Sequence, residues 1–156
     1  DDTPNLNVLD LSFLSSLKII DIFRTGINGI DVSNCVDLEQ IGLRELTGVS
    51  SFDATLYPNL ESLYLSNSDI TSINLLSNPL LETLAISDTD IDNVDFTNSV
   101  NLELFQAFGT QIELLDFSNC PNLNLIDIQR SNRLGRDTLV KTIILKNGVD
   151  NSLAST

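Results

Sequence analysis

Carboxylates are the most abundant titratable groups in this 156-residue chain, with 22 Asp and Glu against 8 Lys and Arg, two cysteines and no histidine. The missing imidazole removes His-based general acid–base catalysis and the Ser-His-Asp arrangement. No G-x-x-x-x-G-K loop, Cys-x-x-Cys pair or zinc spacing is present. Two carboxylates could in principle form a glycosidase pair. Their spacing singles out no pair with opposed environments, so no residue is assigned a catalytic role and no cofactor is expected.

The carboxylates fall instead into two columns. One is Glu39, Glu61, Glu82 and Glu103; the other is Asp10, Asp31, Asp53, Asp95 and Asp116, with Asn74 in the gap. Like charges stacked at strand spacing (~4.8 Å) repel. Calcium bridging the rungs is one reading, since calcium takes carboxylate and carbonyl oxygens. The other has Asp capping backbone N–H groups in a bend and Glu forming a solvated edge. No D-x-D-x-D-G loop or G-G-x-G-x-D repeat is present, which favours the second reading and leaves no metal ligand assigned.

The columns exist because the chain repeats. Leu17, Leu38, Leu60, Leu81, Leu102 and Leu123 serve as anchors, 21, 22, 21, 21 and 21 residues apart. A second apolar residue follows three positions later (Ile20, Ile41, Leu63, Leu84, Phe105, Ile126), and a third two further on (Ile22, Leu43, Leu65, Ile86, Ala107, Ile128). A second half-pattern then appears, as in Ile70-Thr-Ser-Ile73-Asn-Leu75 and Ile112-Glu-Leu-Leu115-Asp-Phe117. The single 22-residue unit carries an insertion before Thr47. One unit cannot bury its apolar set alone, whereas stacked units bury it as one continuous core.

This L-x-x-L-x-L pattern, followed by a bend and I-x-x-I-D-F-S, resembles the leucine-rich repeat family, and its short period is most similar to the bacterial internalin-like and Bacteroidetes cell-surface varieties. The resemblance implies a β-rich solenoid with a parallel sheet on the concave face and short extended or 3-10 segments on the convex face. The family often places Asn eight positions after the anchor. Here that column reads Thr25, Thr47, Ser68, Thr89, Thr110 and Ser131, a hydroxyl ladder expected to bond bend backbone as Asn would.

Residues 1–156 read as a single leucine-rich repeat domain of six to seven coils. The pattern starts in mid-coil and ends without an obvious polar cap, as expected of a piece of a longer protein or of a solenoid with minimal caps. Val140-Lys-Thr-Ile143-Ile-Leu145 reads as a seventh strand after a shortened 17-residue unit, and the segment from Arg130 to Lys141 breaks the pattern. Cys35 and Cys120 occupy one repeat slot four coils apart, about 20 Å at strand spacing, and so should be free thiols.

By strand parity the residues two, four and six after each anchor face outward. That face is irregular against the tidy repeat. It carries Phe23, Tyr64 and Phe108 with Arg44, Gln106 and Gln129, and Arg130 nearby. Aromatics and Arg are the usual anchors of protein interfaces, so these seven are the candidate partner-binding residues. A net charge of −14 argues against nucleic-acid or anionic-membrane binding, and no apolar run is long enough to span a bilayer. Three functions remain open: a non-catalytic protein-binding or adhesion module, a structural spacer in a surface protein, and a glycan-binding module. The resemblance implies a secreted or cell-surface setting.

Overall fold

The computed structural model describes residues 8–25, 27, 29–46, 48–129, 139–145 and 150–152. The strands are β1 (Val8–Asp10), β2 (Ile19–Phe23), β3 (Gly29–Asp31), β4 (Gln40–Arg44), β5 (Ser51–Asp53), β6 (Ser62–Tyr64), β7 (Ser72–Asn74), β8 (Thr83–Ala85), β9 (Leu104–Gln106), β10 (Leu114–Phe117), β11 (Leu125–Asp127), β12 (Thr142–Leu145) and β13 (Asp150–Ser152). A 3-10 turn spans Ala54–Leu56. The fold is a parallel β-solenoid. Its main sheet has six strands in the order β11-β9-β8-β6-β4-β2. Each strand carries the outward and inward residues that follow one anchor.

The register follows the repeat. Ile20 pairs with Ile41, Ile41 with Leu63, Leu63 with Leu84, Leu84 with Phe105, and Phe105 with Ile126. Those side chains point inward, and Leu38, Ile41, Leu60, Leu63, Leu65, Leu81, Leu84, Ile86, Leu102 and Phe105 are fully buried. In the 102–107 segment the bulky Phe105 stands beside Ala107, which is also fully buried. A large and a small residue at paired inward positions keep the core filled without strain. Phe105 packs edge-on against Phe96 and Phe117, with ring centroids 5.2 and 5.4 Å away.

The second face is built differently. Its strands form only short groups: β1 with β3, β5 with β7, and β10 with β12 and β13. No register joins β3 to β5, and most Cα pairs between them lie more than 8 Å apart, where paired strands sit ~4.8 Å apart. The insertion before Thr47 falls in that coil.

Here the Asp column does local work. Asp10, Asp31, Asp53, Asp95 and Asp116 each accept the backbone N–H two residues on, at 2.9 to 3.0 Å. Asn74 accepts from Leu76 in the same way at 3.3 Å. The capping reading therefore describes the Asp column. The side-chain hydrogen bond from Ser12 holds Asp10 below its ordinary pKa, that from Thr97 does so for Asp95, and the backbone N–H of Ser118 does so for Asp116.

The hydroxyl ladder forms in three of its six expected positions; Thr25 Oγ1 is buried with no hydrogen-bond partner among the described residues, and Thr47 and Ser131 lie outside them. Ser68, Thr89 and Thr110 donate to the carbonyls of Leu65, Ile86 and Ala107 at 2.5, 2.7 and 3.0 Å. A feature not foreseen lies just before it, one residue earlier in four coils and two in the coil with the insertion. Arg24, Glu45, Asn67 and Asp88 all have φ between 53° and 59°, and Gly109 has φ 70°. Five of the six coils leave the main sheet through one left-handed residue, a conformation that Gly, Asn and Asp tolerate and Arg and Glu rarely take; the equivalent Arg130 lies outside the described residues.

The expectation of a seventh strand in the main array needs correcting. β12 pairs with β10 on the second face, with Leu115 opposite Ile143 and Phe117 opposite Leu145. Val140, Ile143 and Leu145 thus repeat the second half-pattern of Ile112, Leu115 and Phe117, 28 residues later. The apolar spacing of the two half-patterns is alike, so a strand preceded by an irregular segment can be read as either. β13 then pairs antiparallel with β12.

Candidate functional site

The outward columns of the main sheet gather three of the seven candidate residues. Phe23 on β2 lies directly opposite Arg44 on β4, and Gly42 on β4 lies opposite Tyr64 on β6. The Arg44 guanidinium carbon sits 5.7 Å from the Phe23 ring centroid and 5.6 Å from that of Tyr64. Its Nη2 donates to both carboxylate oxygens of Asp21, at 2.9 and 2.7 Å. One planar cation is thus held by a carboxylate and flanked by two rings, an arrangement suited to guanidinium. Arg24 adds to the group, 4.9 Å from the Phe23 centroid and 2.8 Å from Glu45.

Gly42 makes this possible. A Cβ at that position would come within 2.5 Å of Asp21 Oδ1. The Asp21 side chain leans across the bare backbone of β4 to reach Arg44. Asp21 and Gly42 each fall four residues after an anchor and so on the outward columns, yet neither is among the seven candidate residues. The available signal was a lone glycine on a strand between an acidic and an aromatic neighbour.

The other candidates form a second group. Gln106 on β9 and Phe108 just after it are half-buried, and Gln129 beyond β11 is exposed. β8 separates β6 from β9, so Tyr64 and Gln106 stand two rungs, ~9.6 Å, apart across the sheet. Arg130 lies outside the described residues. Between the two groups the surface is low and small. Ala85 and Ser87 are outward by parity yet buried, at 4% and 2% exposed. Ser87 Oγ and Asp88 Oδ1 have no hydrogen-bond partner among the described residues.

On the opposite side, one bend column carries the two cysteines. Cys35, Tyr57, Asn78, Ser99 and Cys120 occupy equivalent buried positions, and each donates its backbone N–H to the carbonyl three residues back. Cys35 Sγ donates to Leu11 O at 3.3 Å, and Asn78 Nδ2 donates to Ala54 O and Tyr57 O at 2.9 and 2.8 Å. Both thiols are free. Burial raises their pKa values, with a further push from Asp31 on Cys35 and from Asp116 on Cys120, which reaches about 11. Burial also pushes the Tyr57 phenol up to about 12. Burial that raises a thiol's pKa keeps it protonated and so a poor nucleophile.

Among the described residues no three Asp, Glu or Cys side chains converge on a point that could hold a metal ion, and no helix is long and apolar enough to cross a membrane. The Glu column runs along the start of the main sheet, where Lys18 pairs with Glu39 at 2.5 Å.

No protein-family model and no curated protein matches the chain. A solved structure does. The functional domain of InlJ from Listeria monocytogenes, which includes a cysteine ladder, aligns over 76% of this chain and 29% of its own, with a TM-score of 0.67 and 22% sequence identity. This likeness shows the fold, a leucine-rich-repeat-like solenoid, over less than a third of that internalin chain.

Proposed function

We propose that this chain is a non-catalytic protein-binding or adhesion module that holds its partner on the outward face of the main sheet, at Phe23, Arg44 and Tyr64. The observation that carries the reading is the Arg44 guanidinium fixed by Asp21 between two aromatic rings. Tyr, Trp and Arg dominate interface hot spots, and their cost of ordering falls when they are already held in place. The sheet supplies a hydrogen-bonded platform, and among the described residues no constellation on it provides a nucleophile with an adjacent base.

The internalin-like fold supports the same class of activity and a surface or secreted setting. InlJ is described by its cysteine ladder; in this chain Cys35 and Cys120 share one buried column with Tyr57, Asn78 and Ser99 between them. The column here is held by packing and by the side-chain hydrogen bonds of Cys35 and Asn78.

The test is a pull-down from host-cell surface extract and a polysaccharide panel, using the wild type and a Phe23→Ala/Arg44→Ala/Tyr64→Ala variant. A protein retained by the wild type and lost by the variant supports the reading. Retention abolished by a soluble sugar, and by Tyr64→Ala alone, replaces it with a glycan-binding module. Retention of nothing replaces it with a spacer.

A further inference from the structure

A different edge of the solenoid carries an unexplained surface. It is the bend that leads from the second face back to each anchor, residues 12–16, 33–37, 55–59, 76–80, 97–101 and 118–122. Asp37 is the one charged residue in these six segments, in a chain of net charge −14. Leu14, Val36, Leu56, Leu76, Leu80 and Val100 sit on this edge, each between 39% and 50% exposed. Scattered exposed leucines need no explanation, but here five successive coils each expose an apolar side chain within the same bend, though not at one repeat slot, and an apolar strip rimmed by polar groups marks an interaction surface.

The rims are acidic on both sides. The Asp column (Asp31, Asp53, Asp95) borders the strip where each bend begins, and the Glu column (Glu39, Glu61, Glu82, Glu103) borders it where the main sheet begins. A second copy docked along this edge would set carboxylate rows against carboxylate rows. A complementary partner presents an apolar ridge between two basic rows.

The spacing narrows the partner further. From the coil of Leu14 to that of Val100 are four steps of ~4.8 Å, or ~19 Å. A helix of about 13 residues covers that length, and its 5.4 Å pitch nearly matches the rung spacing. Such a helix, lying along the solenoid, places one apolar side chain per turn on each coil. We propose that this edge docks a basic amphipathic helix of a partner protein, its apolar stripe on Leu56, Leu76 and Val100 and its Lys or Arg flanks against the Asp and Glu columns. The edge is separate from the sheet face, so this proposal and the one above fail independently.

The probe is a helical peptide of roughly 14 residues with leucines in one stripe, lysines on both flanks and one tryptophan, whose fluorescence is unobscured because the chain contains no Trp. It is titrated against the wild type, Leu56→Glu/Leu76→Glu/Val100→Glu, and Leu56→Ser/Leu76→Ser/Val100→Ser. Circular dichroism melts establish that each variant is folded, and the serine set decides if the glutamate set is not. Expected are saturable binding to the wild type, loss of at least about tenfold in both variants, weakening with added salt, no binding of a glutamate-flanked peptide, and unchanged binding to Phe23→Ala/Tyr64→Ala. Absence of binding to the wild type overturns the proposal. So does equal binding of a scrambled lysine peptide, or unchanged affinity in the serine set. Self-association, or capture of phosphatidylcholine vesicles, that disappears in the serine set also overturns it by showing a different occupant.

Discussion

At one end of the main-sheet face, Phe23, Arg44 and Tyr64 share a single guanidinium held by Asp21. At the other end, Gln106, Phe108 and Gln129 stand on the same outward columns, and no cation stands over the Phe108 ring among the described residues. Both ends obey the same repeat, so parity alone does not make a site. Grouping needs direct cross-strand neighbours, and it needs a gap. Phe23 and Arg44 are register partners, and the missing side chain at Gly42 lets Asp21 cross β4.

The largest expected effect tests whether the two ends share one support. Leu84 is fully buried under β8, the strand between them. Leu84→Ala should cost about 2–5 kcal/mol in equilibrium denaturation, as a cavity in a packed core does. A cost under ~1 kcal/mol would mean that the sheet does not pack as one core. Thr110 follows the bend beyond Phe108 and donates to Ala107 O from a fully buried position. Thr110→Val should cost about 1 kcal/mol, and stability unchanged in the same denaturation measurement would show that the hydroxyl ladder is ornamental.

Gly42→Ala acts on one end alone. The added Cβ displaces the Asp21 carboxylate, and an exposed ion pair contributes only ~0–1 kcal/mol. Stability should fall by less than about 1 kcal/mol, while partner binding falls about tenfold because Arg44 loses its anchor. Binding that survives Gly42→Ala would detach Asp21 from the site.

Acid should act on both ends alike, and more weakly. Asp10 in the first coil and Asp95 and Asp116 near the last have pKa values lowered by their capping hydrogen bonds. A carboxylate depressed in the folded state contributes stability above its ordinary unfolded value and loses it as pH falls through the folded one. Denaturation midpoints should therefore be level above about pH 4 and decline below it. Asp116→Asn should flatten part of that decline while keeping the turn, as Asn74 already does. A midpoint that rises on acidification would contradict the capping role.

The solenoid was readable from the sequence because each coil repeats one strong physical requirement. Leu60, Leu63 and Leu65 must be buried together, and each neighbouring coil asks the same of its own residues. The Asp column was readable because Asp10, Asp31 and Asp53 each precede a Ser or Thr by two residues. The placement of β12 was not, because Ile143 and Leu145 fit either half of the repeat and only pairing partners separate the two. The left-handed column was hidden because Arg24 and Glu45 share it with Asn67, Asp88 and Gly109, and the coil imposes a conformation that those two residues do not favour. The unity of Phe23, Arg44 and Tyr64 depended on Gly42, whose meaning lies in the space it leaves for a side chain one strand away.

The most direct measurement is the binding of fluorescently labelled chain to intact cultured mammalian cells, comparing Phe23→Ala/Arg44→Ala/Tyr64→Ala with Gln106→Ala/Phe108→Ala/Gln129→Ala. The first variant should lose at least about tenfold in affinity and the second less than about threefold. Equal losses, the reverse order, or wild-type chain that does not bind would contradict a partner site centred on Arg44.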